Sequence, residues 1–438
     1  FQGAINNHTI NGIILDSEKT YYISKKLIMT DRQNFCIIGN NATILFENLP
    51  SEKENDALFQ IVSITGLYIE NLTINGQYEW VERPYHTQAS FSDYMRRRNA
   101  SRHALYIANS KQFTLKNVNV NHSLAGFFIT RSSYGNLLNC SSQYTLADGV
   151  FVVSCRSVNV TNHYCNNVDD DSYVAINYDS TLSSTNIRYD GCVTENGFGA
   201  LCCFYGSYNC SIKNSTIYNC SYTPLKLGAH NPYKVGGGRI TVENCNINMK
   251  TVVDNFTDDL LTLCEGITEG DNVFCLSLKN ITINFPSPEK YSCRIVSTDD
   301  IEMKNVRINT PFSFVSCDKV SVSNCTLKNV KLTKSTYLYI VNNNIYDINI
   351  TDASSMEIIN NRYTNTPVLT FYGTNSKARI DNNNINNKGN NYFIQTSDPA
   401  LPKDISHLSF LVGTVLSSGG RLIYVTDSGI GYKVLATE

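Results

Sequence analysis

A short pattern of alternating apolar and polar residues, interrupted by an asparagine, recurs along most of the chain. Apolar residues occupy every second position before the asparagine, and a further apolar pair follows it. Alternation with a period of two predicts β-strands that bury one face. The copies of the pattern end at Ile74, Val120, Cys165, Ile217, Ile247, Ile283, Ile308, Leu327, Ile345, Tyr363 and Ile385. The sequence therefore predicts one small β unit that is stacked many times.

The spacing of the pattern asparagines gives the length of the unit. Asn117 and Asn139 are separated by roughly 20 residues, and so are Asn324 and Asn342, which is typical of one coil of a solenoid. Units of about 20 residues leave no room for a crossover helix, and the leucine framework of a leucine-rich repeat is missing. We therefore predict an all-β fold, a right-handed, single-stranded parallel β-helix. Its coils stack about 4.8 Å apart, so asparagines at the bend, which tolerate left-handed backbone geometry, can form a hydrogen-bonded ladder.

Breaks in the pattern divide the chain. A capped start with the first turns precedes the β-helix, which has two insertions, and Trp80, the only tryptophan, lies in the first insertion. Beyond residue 398 the pattern stops, and alternating stretches separated by glycines predict a small C-terminal β module of antiparallel strands. The predicted segments are the start at 1–50, the β-helix at 51–398, its insertions at 76–104 and 249–274, and the C-terminal module at 399–438. Residues 1–3, Phe-Gln-Gly, are typical of the remnant of an engineered tag.

Charge and hydropathy narrow the range of partners. The formal net charge is −2 and the isoelectric point is about 6.4, so we expect no nucleic-acid partner. No run of residues approaches the roughly 18 apolar positions of a membrane span, and we expect no membrane partner. The 15 cysteines show no paired CxxC spacing, and we expect them to be small apolar residues inside the solenoid. We predict no cofactor and no metal ion.

Candidate chemistry is concentrated in the middle of the repeats. Asp148 precedes one strand, and the run Asp169, Asp170 and Asp171 precedes the next, with Asp170 one repeat length after Asp148. Carboxylates one turn apart lie side by side on the same face, and such crowding raises at least one pKa. One carboxyl can then act as an acid and its neighbour as a base, as glycoside hydrolysis requires. A turn or a calcium site is the alternative interpretation of the aspartate run.

Four short motifs in this region resemble those of the polygalacturonase family of inverting glycoside hydrolases, over roughly residues 110–250. Ala147-Asp148-Gly149 resembles the family's Asn-Thr-Asp-Gly, and the aspartate run followed by Ala175-Ile176 resembles its Asp-Asp-Cys-Ile-Ala-Ile. Gly197-Phe198-Gly199 stands where the family has Gly-His-Gly, and Pro224-Leu225-Lys226 where it has Arg-Ile-Lys. Because Phe198 replaces the histidine and Pro224 the arginine, we expect a substrate other than pectin.

The resemblance implies roles for the carboxyls. Asp170, or its neighbour Asp169, would protonate the leaving oxygen, while Asp148 and the remaining carboxylate would hold and deprotonate the attacking water, giving inversion. One-turn spacing favours Asp169 and Asp170 as the functional pair, whereas the match to Ala-Ile favours Asp170 and Asp171. Lys226 would contact a substrate hydroxyl or anionic group. Side chains expected to stack on sugar rings are Trp80, Tyr173, Phe198 and Tyr205.

The arrangement of the whole chain resembles a phage tailspike, a β-helix followed by a short terminal β module. That resemblance implies a homotrimer on a virion tail or outside the cell, acting on a bacterial surface polysaccharide or wall teichoic acid. Two other functions remain open. One is a polysaccharide lyase with Lys226 as the base and calcium held by the aspartate run, and the other is a non-catalytic glycan-binding adhesin.

Overall fold

The computed structural model describes most of the first 364 residues and shorter segments after them. The described ranges are 1–47, 56–81, 88–178, 184–229, 237–250, 260–265, 274–364, 368–371, 377–381, 383–385, 393–396, 415–418, 421–425 and 432–437. The chain divides into two compact units, Phe1–Thr257 and Asp258–Glu438.

The first unit is built from coils that contribute strands to three parallel sheets. The first sheet contains Gly12–Ile14, Cys36–Phe46, Thr65–Asn75, Lys111–Ser123, Ser133–Leu138, Arg156–Thr161, Arg188–Asp190, Cys210–Lys213 and Arg239–Met249. The second contains Thr20–Ile23, the C-terminal halves of the four longest of those strands, and Ser141–Thr145, Tyr164–Val168, Val193–Gly197 and Thr216–Cys220. The third contains Leu27–Thr30, Ala57–Val62, His103–Ala108, Phe127–Thr130, Val150–Val153, Tyr173–Ile176, Cys202–Tyr205 and Leu225–Gly228.

Most of the second unit also consists of parallel strands stacked coil on coil, as in the pairing of Ser321 with Tyr339 and of Tyr339 with Glu357. Its strands are Leu260–Glu265, Cys275–Asn284, Ser292–Val296, Asp300–Lys304, Arg307–Val315, Lys319–Ser323, Thr326–Val341, Asn344–Ile345, Ile348–Ile359, Arg362–Tyr363, Val368–Phe371, Lys377–Asp381, Asn384–Ile385, Phe393–Thr396, Val415–Ser418, Arg421–Val425 and Tyr432–Thr437. The predicted fold class, an all-β right-handed parallel β-helix, is confirmed.

The pattern asparagines stand at the bends of the coils, as predicted. Asn117, Asn139 and Asn162 have φ angles of 52°, 53° and 54°, in the left-handed region that asparagine tolerates better than most residues. The Asn117 Nδ2 atom donates to Asn71 Oδ1 at 2.8 Å, and Asn162 Nδ2 donates to Asn139 Oδ1 at 3.2 Å. The ladder thereby satisfies the amide groups where the long strands pass from the first sheet to the second.

The interior of the coils is filled by the apolar half of the alternating pattern. In the strand Lys111–Ser123, for example, Phe113, Leu115 and Val120 are fully buried. The cysteines belong to this interior, because 13 of the 15 are buried and the other two are half-buried, and all of their thiols are free. The expectation that they serve as small packing residues is confirmed.

The helices, the insertions and the terminal strands add to this core. A short helix, α1, spans Gln2–Asn6, and within 76–104 a second helix, α2, spans Gln88–Ala100. Of the second predicted insertion, 251–259 and 266–273 lie outside the described residues, and Leu260–Glu265 is a strand. Val415–Ser418 pairs parallel with Phe393–Thr396, whereas Arg421–Val425 and Tyr432–Thr437 form antiparallel pairs. Among the described residues, no helix is long and apolar enough to cross a membrane.

Candidate functional site

Pairing in the third sheet determines which aspartates stand side by side. Val150 pairs with Tyr173, so Asp148 and Asp171, each two residues earlier, occupy equivalent places on successive coils. The backbone N–H of Gly149 donates to the carbonyl oxygen of Asp171 at 3.2 Å. The coil that begins at Asp148 therefore ends at Asp171. The repeat length of the sequence predicted Asp170, which is one position earlier. This pairing stacks Asp171, rather than Asp170, on Asp148.

Three carboxyl groups converge at this place. Asp148, Asp170 and Asp171 each offer an oxygen atom, and these atoms all lie within 4.8 Å of one another. Asp148 and Asp170 are half-buried, whereas Asp171 is buried. We call these three residues the carboxyl cluster. Groups this close titrate as one coupled unit, because ionising one raises the electrostatic cost of ionising the others.

Lys226, from the strand Leu225–Gly228, supplies one compensating charge. Its Nζ atom lies 2.8 Å from Asp171 Oδ1 and 3.9 Å from Asp170 Oδ1. Burial acts to lower the pKa of Lys226, but the carboxylates of Asp171 and Asp170 outweigh it and raise the pKa above its ordinary value. The lysine therefore stays charged at neutral pH.

Arg98 supplies the second charge, and the sequence analysis did not identify it. The residue lies on α2, and its Nη2 atom donates to Asp170 Oδ2 at 3.0 Å with about a fifth of each side chain exposed. Tyr94, four residues earlier on the same helical face, is buried and donates its hydroxyl to the carbonyl oxygen of Leu146 at 2.8 Å. The one sequence signal for Arg98 was its spacing of four residues from Tyr94 within the insertion, which places both residues on the same face of a helix.

Backbone groups fix the orientation of Asp171. The N–H of Ala200 donates to Asp171 Oδ1 at 2.7 Å. A Cβ atom on Gly199 would lie only 2.4 Å from that oxygen and 2.6 Å from the carbonyl carbon of Asp170, so any larger residue would displace the cluster. The second glycine of Gly197-Phe198-Gly199 is thus required by close approach of the backbone to the carboxyl cluster.

Burial and charge raise the pKa values of two of the three cluster carboxyls. Burial raises the pKa of Asp148 well above its ordinary value, and the charges of Asp170 and Asp171 raise it further against the opposing effect of Arg98 and Lys226. Burial also raises the pKa of Asp171, although the charge of Lys226 opposes this. A site with raised carboxyl pKa values beside two fixed cations can exchange a proton at higher pH than an ordinary aspartate can.

Asp169 does not join the cluster. The backbone bends at Asp169 and Asp170, so the consecutive carboxyls project in different directions. Asp169 is buried and lines a separate cavity of about 160 Å³ together with Trp80 and Phe198, which we call the aromatic pocket. Two of the predicted sugar-stacking residues, Trp80 and Phe198, therefore lie beside the cluster rather than within it.

The other two predicted stacking residues are placed differently. Tyr173 is fully buried inside the coils, and its hydroxyl donates to the carbonyl oxygens of His163 and Val193 at 3.0 and 3.1 Å. The prediction that Tyr173 contacts a sugar is wrong, because the alternation of the strand directs this side chain inwards. Tyr205 is half-buried and packs against the apolar cluster of the third sheet around Val174 and Cys203.

Comparisons with known proteins agree with the fold. Neither protein-family models nor curated proteins give a match. Among solved structures, the chain is similar to the catalytic domain of a GH87 α-1,3-glucanase variant in complex with tetrasaccharides, with 17% identity and a TM-score of 0.53. The match covers 76% of this chain and 62% of that one, so the chain spans less than two thirds of its length.

An exopolygalacturonase and a xylogalacturonan hydrolase are further structural neighbours. The family 28 exopolygalacturonase of Yersinia enterocolitica matches with 12% identity and a TM-score of 0.47, over 80% of this chain and 72% of that one. The endo-xylogalacturonan hydrolase of Aspergillus tubingensis matches with 12% identity and a TM-score of 0.34, over 80% and 87%. Among these, only the glucanase match has a TM-score above 0.5, and at 17% identity that likeness shows the fold alone.

Proposed function

We propose that the protein is a glycoside hydrolase that depolymerises a bacterial surface polysaccharide or a wall teichoic acid. The observation that carries this proposal is the convergence of Asp148, Asp170 and Asp171 within 4.8 Å, beside two cations, on a fold shared with glycoside hydrolases. Glycosidic bond cleavage needs one carboxyl that donates a proton and another that accepts one, and the cluster supplies both.

The three carboxyls take different roles. Asp148 and Asp171, stacked on successive coils, hold the attacking water between them, and their raised pKa values make them stronger bases when they are ionised. Asp170 precedes Asp171 in the chain and accepts a hydrogen bond from Arg98, and we assign to it the protonation of the leaving oxygen. Because the cluster titrates as a unit, the proton that Asp170 donates is drawn from the cluster.

The distance between the carboxyls bears on whether hydrolysis inverts or retains the anomeric configuration, and the configuration of the product can be measured. A distance within 4.8 Å is shorter than the roughly 6.5–9.5 Å of most inverting enzymes and close to the about 5–5.5 Å of retaining ones. We nevertheless propose inversion, because Asp171 is engaged by Lys226 and Ala200, which leaves it poorly placed to attack a sugar as a nucleophile. NMR of the first-formed product should show the inverted anomer, and a retained anomer would make one aspartate a nucleophile.

A lyase on the same fold is less consistent with the electrostatics. Lys226 would have to be uncharged to remove a proton, but its pKa is raised. Arg98 and Lys226 also engage carboxylate oxygens that a calcium ion would need as ligands. We expect cleavage to persist in EDTA and to give no product absorbing in the ultraviolet. Calcium-dependent release of an unsaturated sugar would establish the lyase mechanism instead.

The cellular setting belongs to the same proposal. A parallel β-helix with terminal β strands and a carboxyl cluster fits a phage tailspike, which would act as a homotrimer on the virion tail, outside the cell. The substrate would then be a polymer on the surface of a bacterial host. A non-catalytic adhesin remains the second candidate, because Phe198 and Pro224 replace two polar motif residues of the polygalacturonases.

The deciding experiment compares three variants on polymers and on an activated substrate. The protein is incubated with a panel of bacterial capsular and wall polymers, and released fragments are sized. Asp148→Asn, Asp170→Asn and Asp171→Asn should each lose cleavage by at least about 100-fold, the usual worth of a general acid or base. Asp16→Asn, an exposed aspartate of the first coils, serves as the control and should cleave normally.

An aryl glycoside of the same sugar with a good leaving group then separates the roles. It needs no protonation of its leaving oxygen, so Asp170→Asn should regain turnover while Asp148→Asn and Asp171→Asn should not. If Asp148→Asn alone regained turnover, Asp148 would be the acid and Asp170 would act with Asp171 on the water. Binding of a polymer without any cleavage by the unaltered protein would support the adhesin.

A further inference from the structure

The aromatic pocket has the composition of a site for a small polar ring. Its volume of about 160 Å³ is below the roughly 300–1,000 Å³ of pockets for drug-sized ligands, so it has room for one ring rather than several. Trp80 and Phe198 present apolar surfaces, while the amides of Asn167, Asn196 and Asn219 offer both donors and acceptors. A sugar ring has an apolar face surrounded by neighbouring hydroxyl groups, so its binding needs both apolar surfaces and hydrogen-bonding groups.

The pocket is already formed by contacts within the first unit. Asn219 Nδ2 donates to Asn196 Oδ1 at 3.0 Å, which orients both amides. Phe198 lies flat against Tyr222, with ring centroids 5.9 Å apart and an interplanar angle of 9°. The rings of Trp80 and Tyr144 meet in a T-shaped arrangement, with centroids 5.9 Å apart. Among the described residues, the buried indole N–H of Trp80 has no hydrogen-bond partner.

The pocket adjoins the carboxyl cluster. Asp169 lines the pocket, and the next residue, Asp170, belongs to the cluster, so their Cα atoms are about 3.8 Å apart. Tyr222 provides a second link between the pocket and the cluster. Its ring stacks on Phe198, and the Lys226 Nζ atom lies 5.1 Å from the centre of the same ring. A ring seated in the pocket would therefore lie next to a bond positioned at the cluster.

The charges around the pocket favour an uncharged ring. The pocket is lined by one anion, Asp169, and one cation, Lys250, so its formal charge balances. The two cations of the neighbouring cluster, Lys226 and Arg98, already bind Asp171 and Asp170. An acidic sugar would bring its carboxylate close to the buried Asp169 at an electrostatic cost.

We propose that the aromatic pocket is a subsite for one neutral pyranose residue of the glycan, adjacent to the bond that is cleaved. The inference rests on the proposed function and adds to it the class of sugar that flanks the scissile bond. Trp80 and Phe198 contact the ring faces, the asparagine amides bind the ring hydroxyls, and Asp169 accepts a hydrogen bond from one hydroxyl.

Trp80 makes the test specific, because it is the only tryptophan and its emission reports on this pocket alone. The purified full chain is titrated with glucose, galactose, N-acetylglucosamine, galacturonate and glycerol while tryptophan emission is recorded. At least one of the three neutral sugars should change the emission with saturation, and galacturonate and glycerol should not. No saturable response to any neutral sugar, or a response to galacturonate alone, would overturn the proposal.

A matched pair of variants ties the response to the pocket. Asn219 and Asn214 have φ angles of 58° and 50°, and both belong to amide ladders, but only Asn219 lines the pocket. Asn219→Ala should raise the Kd of the responding sugar by roughly 5–10-fold, the worth of one or two hydrogen bonds. Asn214→Ala carries the same backbone strain and should leave the Kd unchanged. Equal effects of both variants would contradict a subsite.

Activity distinguishes this inference from the proposed function. If a polymer is cleaved, Asn219→Ala should raise its KM while changing kcat little. Cleavage with an unchanged KM would refute the subsite and leave the hydrolase intact. Saturable sugar binding without cleavage of any polymer would refute the hydrolase and leave the subsite intact.

Discussion

Arg98 shows how a single residue can alter the chemistry of the carboxyl cluster. Its guanidinium group binds Asp170 directly, and its charge opposes the rise in the pKa of Asp148. The motif comparison finds Pro224 where polygalacturonases have an arginine, and in this protein α2 brings an arginine from elsewhere in the chain to the same cluster. The positive charge beside Asp170 therefore comes from α2.

The first prediction concerns the pH dependence of cleavage. In Arg98→Ala the loss of the positive charge should raise the pKa of Asp148 further. A base works only when it is ionised, so the acidic limb of the pH–rate profile should move to higher pH by roughly one unit, equal to about 1.4 kcal/mol. The profile of kcat/KM against pH measures this shift.

Arg98→Lys is the control for that experiment. It retains the charge on the same helix and should keep the limb near its original pH, although the weaker geometry of a lysine can lower the rate. A limb that moves equally in both variants, or in neither, would show that Arg98 acts only in holding α2.

The second prediction links the same site to stability. The pKa of Asp148 is raised in the folded protein, so the folded state binds more protons than the unfolded state between the ordinary value of 3.8 and the raised value. The contribution of Asp148 to stability is therefore greatest at low pH and is lost as the pH rises through the raised pKa. Asp148→Asn cannot ionise, so its melting temperature should exceed that of the unaltered protein at pH 8 and match it near pH 4.

Asp16→Asn is the control. Calorimetry at pH 8 and near pH 4 measures the melting temperatures of both variants. Lys19 holds the pKa of Asp16 below its ordinary value, and the residue is exposed, so this variant should show no gain at high pH. If Asp148→Asn melts lower than the unaltered protein at pH 8, the carboxyl of Asp148 is structural.

At the scale of elements, stacking on neighbouring coils holds each strand, and asparagine ladders secure the bends. In the second unit one ladder is buried: Asn361 accepts a hydrogen bond from the N–H of Asn343 at 2.9 Å and donates to the carbonyl oxygen of Ile340 at 2.7 Å. Each amide satisfies backbone groups of two coils, which water cannot reach.

The third prediction tests this ladder. Asn361→Ala should lower the free energy of unfolding by about 1–3 kcal/mol, because it leaves buried backbone groups without partners. Asn349→Ala, at an exposed position of the strand Ile348–Ile359, is the control and should change stability little. Denaturant unfolding measures the free energy of unfolding of both variants. Similar losses in the two would show that the buried ladder stabilises the fold no more than an exposed asparagine does.

At the scale of the whole molecule, the tailspike interpretation makes an expectation about assembly. The first coils expose large apolar side chains, with Ile14 and Tyr22 each 75% exposed. Surface of this kind is covered when subunits associate. The fourth prediction is that the purified chain forms a homotrimer, three times its 49.0 kDa, by light scattering. A mass of 49.0 kDa would contradict the tailspike interpretation and leave the hydrolase proposal standing.

The sequence alone determined the features that depend on local periodicity. Alternation of apolar residues and the asparagine spacing predicted the parallel β-helix, because each coil interacts mainly with the coils above and below it. The same repeat predicted buried cysteines and located the site at Asp148 and the aspartate run. These properties follow from which side of a strand a residue occupies, and that is set within a few residues.

Only the tertiary structure decided how the site is composed. The register of the third sheet paired Asp171 with Asp148, and a backbone bend directed Asp169 into the aromatic pocket. Arg98 reaches Asp170 across 72 positions of sequence, through a helix inserted between coils. Repeat patterns carry no information about where an insertion folds back or how a bend directs a side chain. Those outcomes depend on contacts between residues distant in sequence, and they exist only once the coils are stacked.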